Sequence, residues 1–462
     1  MKKNILKVLF SNGIITIVGL VNSFIFPIIL TITGYACYHE FLLFVSYINI
    51  CHLGIPSGMF LNYAGHKYEE TNKEQYKSEV RLLFLALLSF SLMGVLLSLI
   101  SGRIIILYVS LMIMPHCIIA GFKALYQAWE RFNSFSLVNT LPSTLITAIS
   151  ILIYCNYGFL DGTTLIQVCL GINWIVMAGI VLEYVLFTRG HKSKCIFSRY
   201  NISTLFNGLM ITLGNYIFVI FHSLDKLFVD YLYEKSIFAY YSFAMAMENL
   251  MSIFITSFAV PFYTRLAGNK VNKSDYEKIK QGLLMFGGFS GCAFFAVAFV
   301  ISHWIPKYNS SIEIISIFFA VFPAMAVING FYISLYKLSK QLKRYITTLC
   351  LVVVVAFIFN VLAVMLNGGY KGIAVATMLT YYFWLFYSQK HFEEIRITLR
   401  DIVYLSGFMI LFFATKFIQN YLCGFAIFGF LIVAWDLVIY RELSFYILKM
   451  CVNDLKKCII NK

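Results

Sequence analysis

Charged side chains are scarce in this sequence. Asp, Glu, Lys and Arg make up 12% of its 462 residues and hydrophobic residues make up 60%, whereas about 25% of a soluble protein is charged. The apolar residues come in blocks of about 18–25 and do not follow the alternation of a half-buried strand. Because about 20 apolar residues span a bilayer as a helix, the sequence predicts an all-α polytopic membrane protein.

Patterns that hold metals, cofactors or nucleic acids are also missing. The 11 cysteines include no Cys-x-x-Cys pair and no Cys/His cluster, so no metal site, cofactor or disulfide framework is expected. The net charge of +15 does not indicate a nucleic-acid partner, since no basic segment is long enough to form a groove. No predicted connection exceeds about twenty residues, which leaves no room for a soluble catalytic domain. We therefore expect a function exerted within the membrane, and not an enzyme.

The apolar blocks number about fourteen, and they define the predicted topology. Short turns such as residues 101–103 and 367–370 alternate with longer charged loops such as residues 66–81 and 264–280. The predicted spans are residues 8–31, 40–64, 82–101, 104–125, 136–156, 164–188, 204–232, 237–262, 282–303, 312–335, 346–366, 372–389, 402–419 and 423–440.

The positive charges divide unevenly between the two sides of this topology. With the N-terminus in the cytoplasm, thirty of the 36 Lys and Arg residues fall in or beside inner segments. Cytoplasmic loops of membrane proteins carry an excess of Lys and Arg, so both termini are predicted to be cytoplasmic. The other six are Arg103, Lys226, Lys235, Lys307, Lys371 and Lys416.

Short matches suggest that the chain contains an internal repeat. Asn-Gly at 12–13 recurs at 207–208, Asn-Lys at 72–73 recurs at 272–273, and Gly-Phe at 121–122 recurs at 330–331. The matches keep their order and fall at equivalent places, which predicts two parallel six-span halves with a transport site at their interface. The predicted domains are an N-terminal bundle at 1–200, a C-terminal bundle at 201–400, and spans 13 and 14 with a short tail at 401–462.

One predicted span is unusually rich in ionisable groups. The stretch 205–233 includes His222, Asp225, Lys226 and Asp230, and Glu248 lies near the middle of the next span. A charge near a bilayer centre costs about 2.5–3.5 kcal/mol on the lenient insertion scale. Because the first three residues follow i, i+3, i+4 spacing, they share one helical face. That face is expected to point into protein or water.

Two local patterns add to the predicted topology: LDKL at 224–227 followed by IFAYYSFA at 237–244, and GIAVA at 372–376. Together with the topology, they resemble the polysaccharide-exporter branch of the MATE-like flippase superfamily. The resemblance implies two pseudo-symmetric six-helix bundles, two added C-terminal helices and a V-shaped central cleft. It also implies a flippase of the bacterial cytoplasmic (inner) membrane. Its substrate would be an undecaprenyl-pyrophosphate-linked oligosaccharide, a repeat unit of O-antigen lipopolysaccharide or of capsule. Other membrane proteins of polysaccharide assembly are candidate partners, besides membrane lipids.

Such a substrate needs cations for its pyrophosphate and amides, hydroxyls and aromatic faces for its sugars. Asp225 and Glu248 are candidates for cavity groups that couple transport to H⁺ or Na⁺. As alternatives, Lys226 pairs with Asp230, Glu248 is protonated and hydrogen-bonded to a neighbouring helix, and the histidines are neutral and packed. The candidate cations are Lys226, His222, His52, His116, Arg103 and Lys123, and the candidate glycan contacts are Asn22, Asn215, Tyr216, Tyr240 and Asn249.

Other functions remain open at this stage. A multidrug or cation antiporter of the same superfamily would be expected to have an acidic cavity, but the first span has no carboxylate. Lipid II flippases resemble one another in an arginine-lined cleft that begins in the first span, and here that span has no Arg. A glycan polymerase usually needs a large outer loop. A membrane acyltransferase would use an embedded His such as His116.

Overall fold

The chain is built from α-helices. The computed structural model describes residues 2–268, 273–339, 341–392, 396–445 and 449. Among these residues every regular element is a helix, and extended backbone pairs only in one bridge between Leu30 and Leu160. Hydrocarbon offers no partner to N–H and C=O groups, so a spanning segment must satisfy them internally, as a helix does. The predicted all-α polytopic fold is confirmed.

Eighteen helices are present in the described residues. The first nine are α1 (Lys2–Ile29), α2 (Ile32–Tyr47), α3 (Ile55–Tyr63), α4 (Lys73–Ser101), α5 (Ile104–Ala128), α6 (Phe132–Tyr157), α7 (Gly162–Phe187), α8 (Arg199–Leu232) and α9 (Lys235–Gly268). The others are α10 (Lys273–Ser290), α11 (Cys292–Trp304), α12 (Ser311–Phe319), α13 (Phe322–Val327), α14 (Ile333–Leu338), α15 (Leu342–Met365), α16 (Gly369–Ser388), α17 (Leu399–Thr415) and α18 (Tyr421–Ile439). Short 3₁₀ turns and one π-helical turn, Ile328–Tyr332, join some of them.

Each of the fourteen predicted spans coincides with a helix or a group of consecutive helices. Among the described residues, nine helical segments are long and apolar enough to cross a membrane. Eleven are counted if each of two bent pairs forms one span. The remaining predicted spans coincide with α9, α16 and α17. Fourteen crossings therefore stay a prediction.

Two predicted spans are bent. The 3₁₀ turn Ile48–His52 extends α2, and α3 then departs at 58°. Leu53 (φ 50°) and Gly54 (φ 78°) are both left-handed at this break, which an uninterrupted α-helix cannot accommodate. A second bend of 45° lies between α12 and α13, next to Pro323.

Two segments predicted as long charged loops are largely helical. α4 begins at Lys73 and α10 at Lys273, well inside the predicted loops 66–81 and 264–280. At α4 the Asn72 side chain accepts a hydrogen bond from the backbone N–H of Gln75 at 3.2 Å, the arrangement of an N-cap. The apolar block marks only the lipid-facing part of a helix, so it misses such polar extensions.

Contacts divide the chain into two compact units. The N-terminal unit comprises Met1–Asp230 with Glu234–Ala239, and the C-terminal unit comprises Tyr231–Tyr233 with Tyr240–Lys462. The contacts of α8 thus lie mainly within the N-terminal unit, although the repeat assigns this helix to the second bundle. The predicted bundle boundaries stay a prediction.

Candidate functional site

The C-terminal half of α8 packs against α2 through polar side chains. Asp225 is only 4% exposed, while His222 and Lys226 are half-buried. The hydroxyls of Tyr47 and Ser223 are hydrogen-bonded, and the ring of Tyr47 meets that of Tyr216 edge to face at 6.0 Å. This part of α8 therefore directs its ionisable face into protein, as its spacing predicts.

A charge cluster follows at the end of this helix pair. The Lys235 ammonium lies 2.7 Å from a Glu40 carboxylate oxygen and 2.8 Å from one of Asp230. Asp230 thus pairs with Lys235 at the start of α9, and its alternative pairing with Lys226 stays a prediction. Sequence reasoning missed Glu40 and Lys235. The sequence does contain a signal for Glu40, because it is the only carboxylate in the apolar helix α2.

Three of the predicted cations come together in the N-terminal unit. His116, on α5, lies within electrostatic range of His52 and Lys123. His52 is 9% exposed, and its Nδ1 accepts a hydrogen bond from the Gly54 N–H at 3.0 Å, which supports the break before α3. Arg103 is exposed in the turn at the opposite end of α5. The helical rise puts it about 20 Å along the axis from His116, so the structure does not bring Arg103 into this group.

A polar seam joins α1 to α6. The Thr147 hydroxyl donates to the Asn22 side-chain oxygen at 2.7 Å, and the Asn139 amide donates to Asn12 at 3.3 Å. At the seam's end the Lys7 ammonium donates to Asn133 at 2.7 Å. Sequence reasoning named only Asn22 here. The α6 partners Asn133, Ser136, Asn139 and Thr147 were detectable, because they are polar residues at helical spacing.

Glycines bring α8 and α3 into backbone contact. A Cβ on Gly208 would lie 1.9 Å from the Gly54 carbonyl oxygen, and a Cβ on Gly58 would lie 2.0 Å from the Thr204 carbonyl oxygen. Ser57 and Thr212 add a hydroxyl pair at 3.3 Å. No side chain larger than hydrogen fits at these two glycines without separating the helices.

A buried carboxyl lies beside this glycine contact. Glu79 on α4 is 1% exposed; it accepts a hydrogen bond from Tyr63 and one from Thr204 at 3.4 Å. Gln75 on the same helix donates to Asn201 of α8 at 2.6 Å. Because buried polar groups are costly unless paired, this network fixes how α8 sits against α3 and α4.

The C-terminal unit holds the other predicted site residues on α9. Glu248 is 5% exposed, whereas Asn249 is exposed. The half-buried Tyr240 meets Tyr308 edge to face at 5.9 Å. In the N-terminal unit, Asn215 is exposed on α8. The side chains of Asp225 and Glu248 are both buried, so neither is a surface charge.

The fold and these buried groups define a polytopic membrane protein with polar surfaces between its helices. The chain shares its fold with a solved structure of the lipid II flippase MurJ in an inward closed conformation. The TM-score is 0.63 with 15% sequence identity, over 96% of this chain and all of that one. No protein-family model matches the sequence, and no curated protein matches it.

Proposed function

We propose that this protein is a flippase for an undecaprenyl-pyrophosphate-linked oligosaccharide, such as an O-antigen or capsular repeat unit. It moves this lipid from the inner to the outer leaflet of a bacterial cytoplasmic membrane by alternating access, with both termini in the cytoplasm. The observation that carries the proposal is the fold shared with a lipid II flippase over 96% of the chain. A pyrophosphate-linked head group cannot cross hydrocarbon unaided, because each charge at the bilayer centre costs several kcal/mol.

The chemistry within the N-terminal unit suits that head group. Amides and hydroxyls along α1 and α6, including Asn22 and Thr147, supply the hydrogen bonds that sugars make. Lys123, which lies within electrostatic range of His116, is the proposed cation for the pyrophosphate, with His52 and His116 beside it. Four other residues remain proposed glycan contacts: Asn215, Tyr216, Tyr240 and Asn249.

Asp225 and Glu248 are the proposed coupling groups. A carboxyl in a low-dielectric site binds a proton or pairs with Na⁺ more readily than one in water, so its occupancy can differ between the two facing states. Asp225→Asn and Glu248→Gln should each slow glycolipid translocation at least about tenfold, if each loses a charge-dependent step of about 1.4 kcal/mol. The matched control is Glu70→Gln, whose side chain is 63% exposed. Full activity in both test variants would remove both residues from the mechanism.

Lipid II is the second candidate substrate, and the fold comparison favours it. The absence of Arg from α1 favours the repeat-unit oligosaccharide instead. The two are separated by reconstituting the protein in vesicles that carry either fluorescent lipid. The proposal expects faster leaflet exchange of the repeat-unit lipid; faster exchange of lipid II would reassign the substrate. A covalent change in either lipid would instead indicate an enzyme.

A further inference from the structure

A second polar site lies on the surface of the N-terminal unit. A cavity of about 730 Å³ opens between α4, α7 and the segment that follows α7. Its lining includes the cations Lys77, Arg81 and Arg189 and the apolar side chains Phe84, Leu85 and Val185. None of the residues predicted for substrate transport lines it.

The Lys77 side chain fixes the segment after α7 against α4. The Lys77 ammonium donates to the carbonyl oxygens of His191, at 2.9 Å, and of Thr188, at 3.4 Å. These bonds fix the chain that carries Arg189. The Arg81 and Arg189 side chains are exposed. None of the three cations forms an ion pair with a carboxylate of the described residues.

The cavity also has a polarity gradient. The cations at 77, 81 and 189 lie beyond the ends of the predicted spans 82–101 and 164–188. Leu85 and Val185 lie within those spans and are 45% and 50% exposed. A ligand that complements this arrangement carries a phosphate at the water side and hydrocarbon beside it. Basic pockets at the cytoplasmic ends of membrane helices bind anionic lipid head groups in this way.

We propose that this cavity binds the phosphate head group of an anionic phospholipid from the surrounding leaflet. Arg81 and Arg189 contact the phosphate, Lys77 adds charge while it holds the loop, and the acyl chains cover Leu85 and Val185. None of the residues proposed for the substrate path lines this site, and the inference does not depend on the proposed function.

The test titrates delipidated, purified full-length protein with phosphatidylglycerol and measures bound lipid by native mass spectrometry. The variant Arg81→Gln/Arg189→Gln should lower the affinity by about tenfold or more, because it removes two cations at the head group. The control Lys192→Gln/Lys194→Gln removes the same charge from exposed residues of the same segment that do not line the cavity, and should change the affinity by less than about twofold. A second test variant, Val185→Trp, keeps every cation and should weaken binding by filling the apolar side.

Several results would overturn the proposal. Unchanged binding in Arg81→Gln/Arg189→Gln, or an equal loss in the control, would mean that the cavity contributes nothing beyond general surface charge. Equal binding of phosphatidylcholine would remove the requirement for an anionic lipid. Displacement of phosphatidylglycerol by equimolar inorganic phosphate would define a soluble-phosphate site. Preferential displacement by undecaprenyl pyrophosphate would instead make the cavity part of the substrate path.

Discussion

Replacing Gly208 by alanine is expected to force α8 away from α3. The added Cβ would lie 1.9 Å from the Gly54 carbonyl oxygen, whereas ordinary contacts begin at 3.4 Å, so the helices must separate by about 1.5 Å. The obstructing atom belongs to the backbone and cannot rotate away. Overpacking of this kind costs about 1–3 kcal/mol, which exceeds the gain of up to about 1 kcal/mol that alanine normally brings to a helix interior.

The assay compares Gly208→Ala with Gly171→Ala, a change in α7 where an added Cβ meets nothing within 4 Å. Thermal unfolding in detergent should show a lower Tm for Gly208→Ala and an unchanged or higher Tm for Gly171→Ala. In a background without native cysteines, Ser57→Cys/Thr212→Cys should cross-link rapidly, because the two hydroxyls lie 3.3 Å apart. Adding Gly208→Ala should slow that reaction. Equal Tm values and equal cross-linking rates would refute the reasoning.

Two further predictions concern ion pairs. The Lys280–Asp401 pair joins α10 to α17 at 2.6 Å, and both side chains are 1% exposed. Asp401→Asn should destabilise the protein by about 3–5 kcal/mol, because it leaves a buried charge unpaired. The control is Lys371→Ala, which breaks a pair that is about half exposed; an unfolding midpoint of Asp401→Asn no lower than that of the control would contradict the prediction. Lys235→Ala removes the partner of both Glu40 and Asp230, so it should lower the unfolding midpoint more than Lys67→Ala, whose partner is exposed. Equal midpoints in the same thermal assay would show that the cluster does not stabilise the protein.

Much of the architecture could be predicted because lipid imposes a simple length rule. A helix needs about 20 apolar residues to cross a bilayer, so each apolar block predicts a span. The rule does not report local breaks. The block at 40–64 continues through its bend, where the left-handed Leu53 and Gly54 separate the 3₁₀ turn that extends α2 from α3. It also misses helix that extends past the hydrocarbon, as at Lys73 and Lys273.

The candidate site was only partly predictable, because helical spacing places residues on a face but does not name the facing helix. The shared face of His222, Asp225 and Lys226 was predicted, and Asp225 is buried. The pairing of Asp230 was not predicted, since its partner Lys235 lies across a turn and the third member, Glu40, is far away in sequence. The backbone approach of Gly208 to Gly54 joins residues 154 positions apart, and nothing local in either helix indicates it.

The most direct test of the account measures translocation of the labelled repeat-unit lipid. Purified full-length protein is reconstituted in vesicles that carry this lipid, and leaflet exchange is followed beside protein-free vesicles. The account predicts faster leaflet exchange in the vesicles that contain the protein, with no covalent change in the lipid. Exchange no faster than in protein-free vesicles would contradict the account.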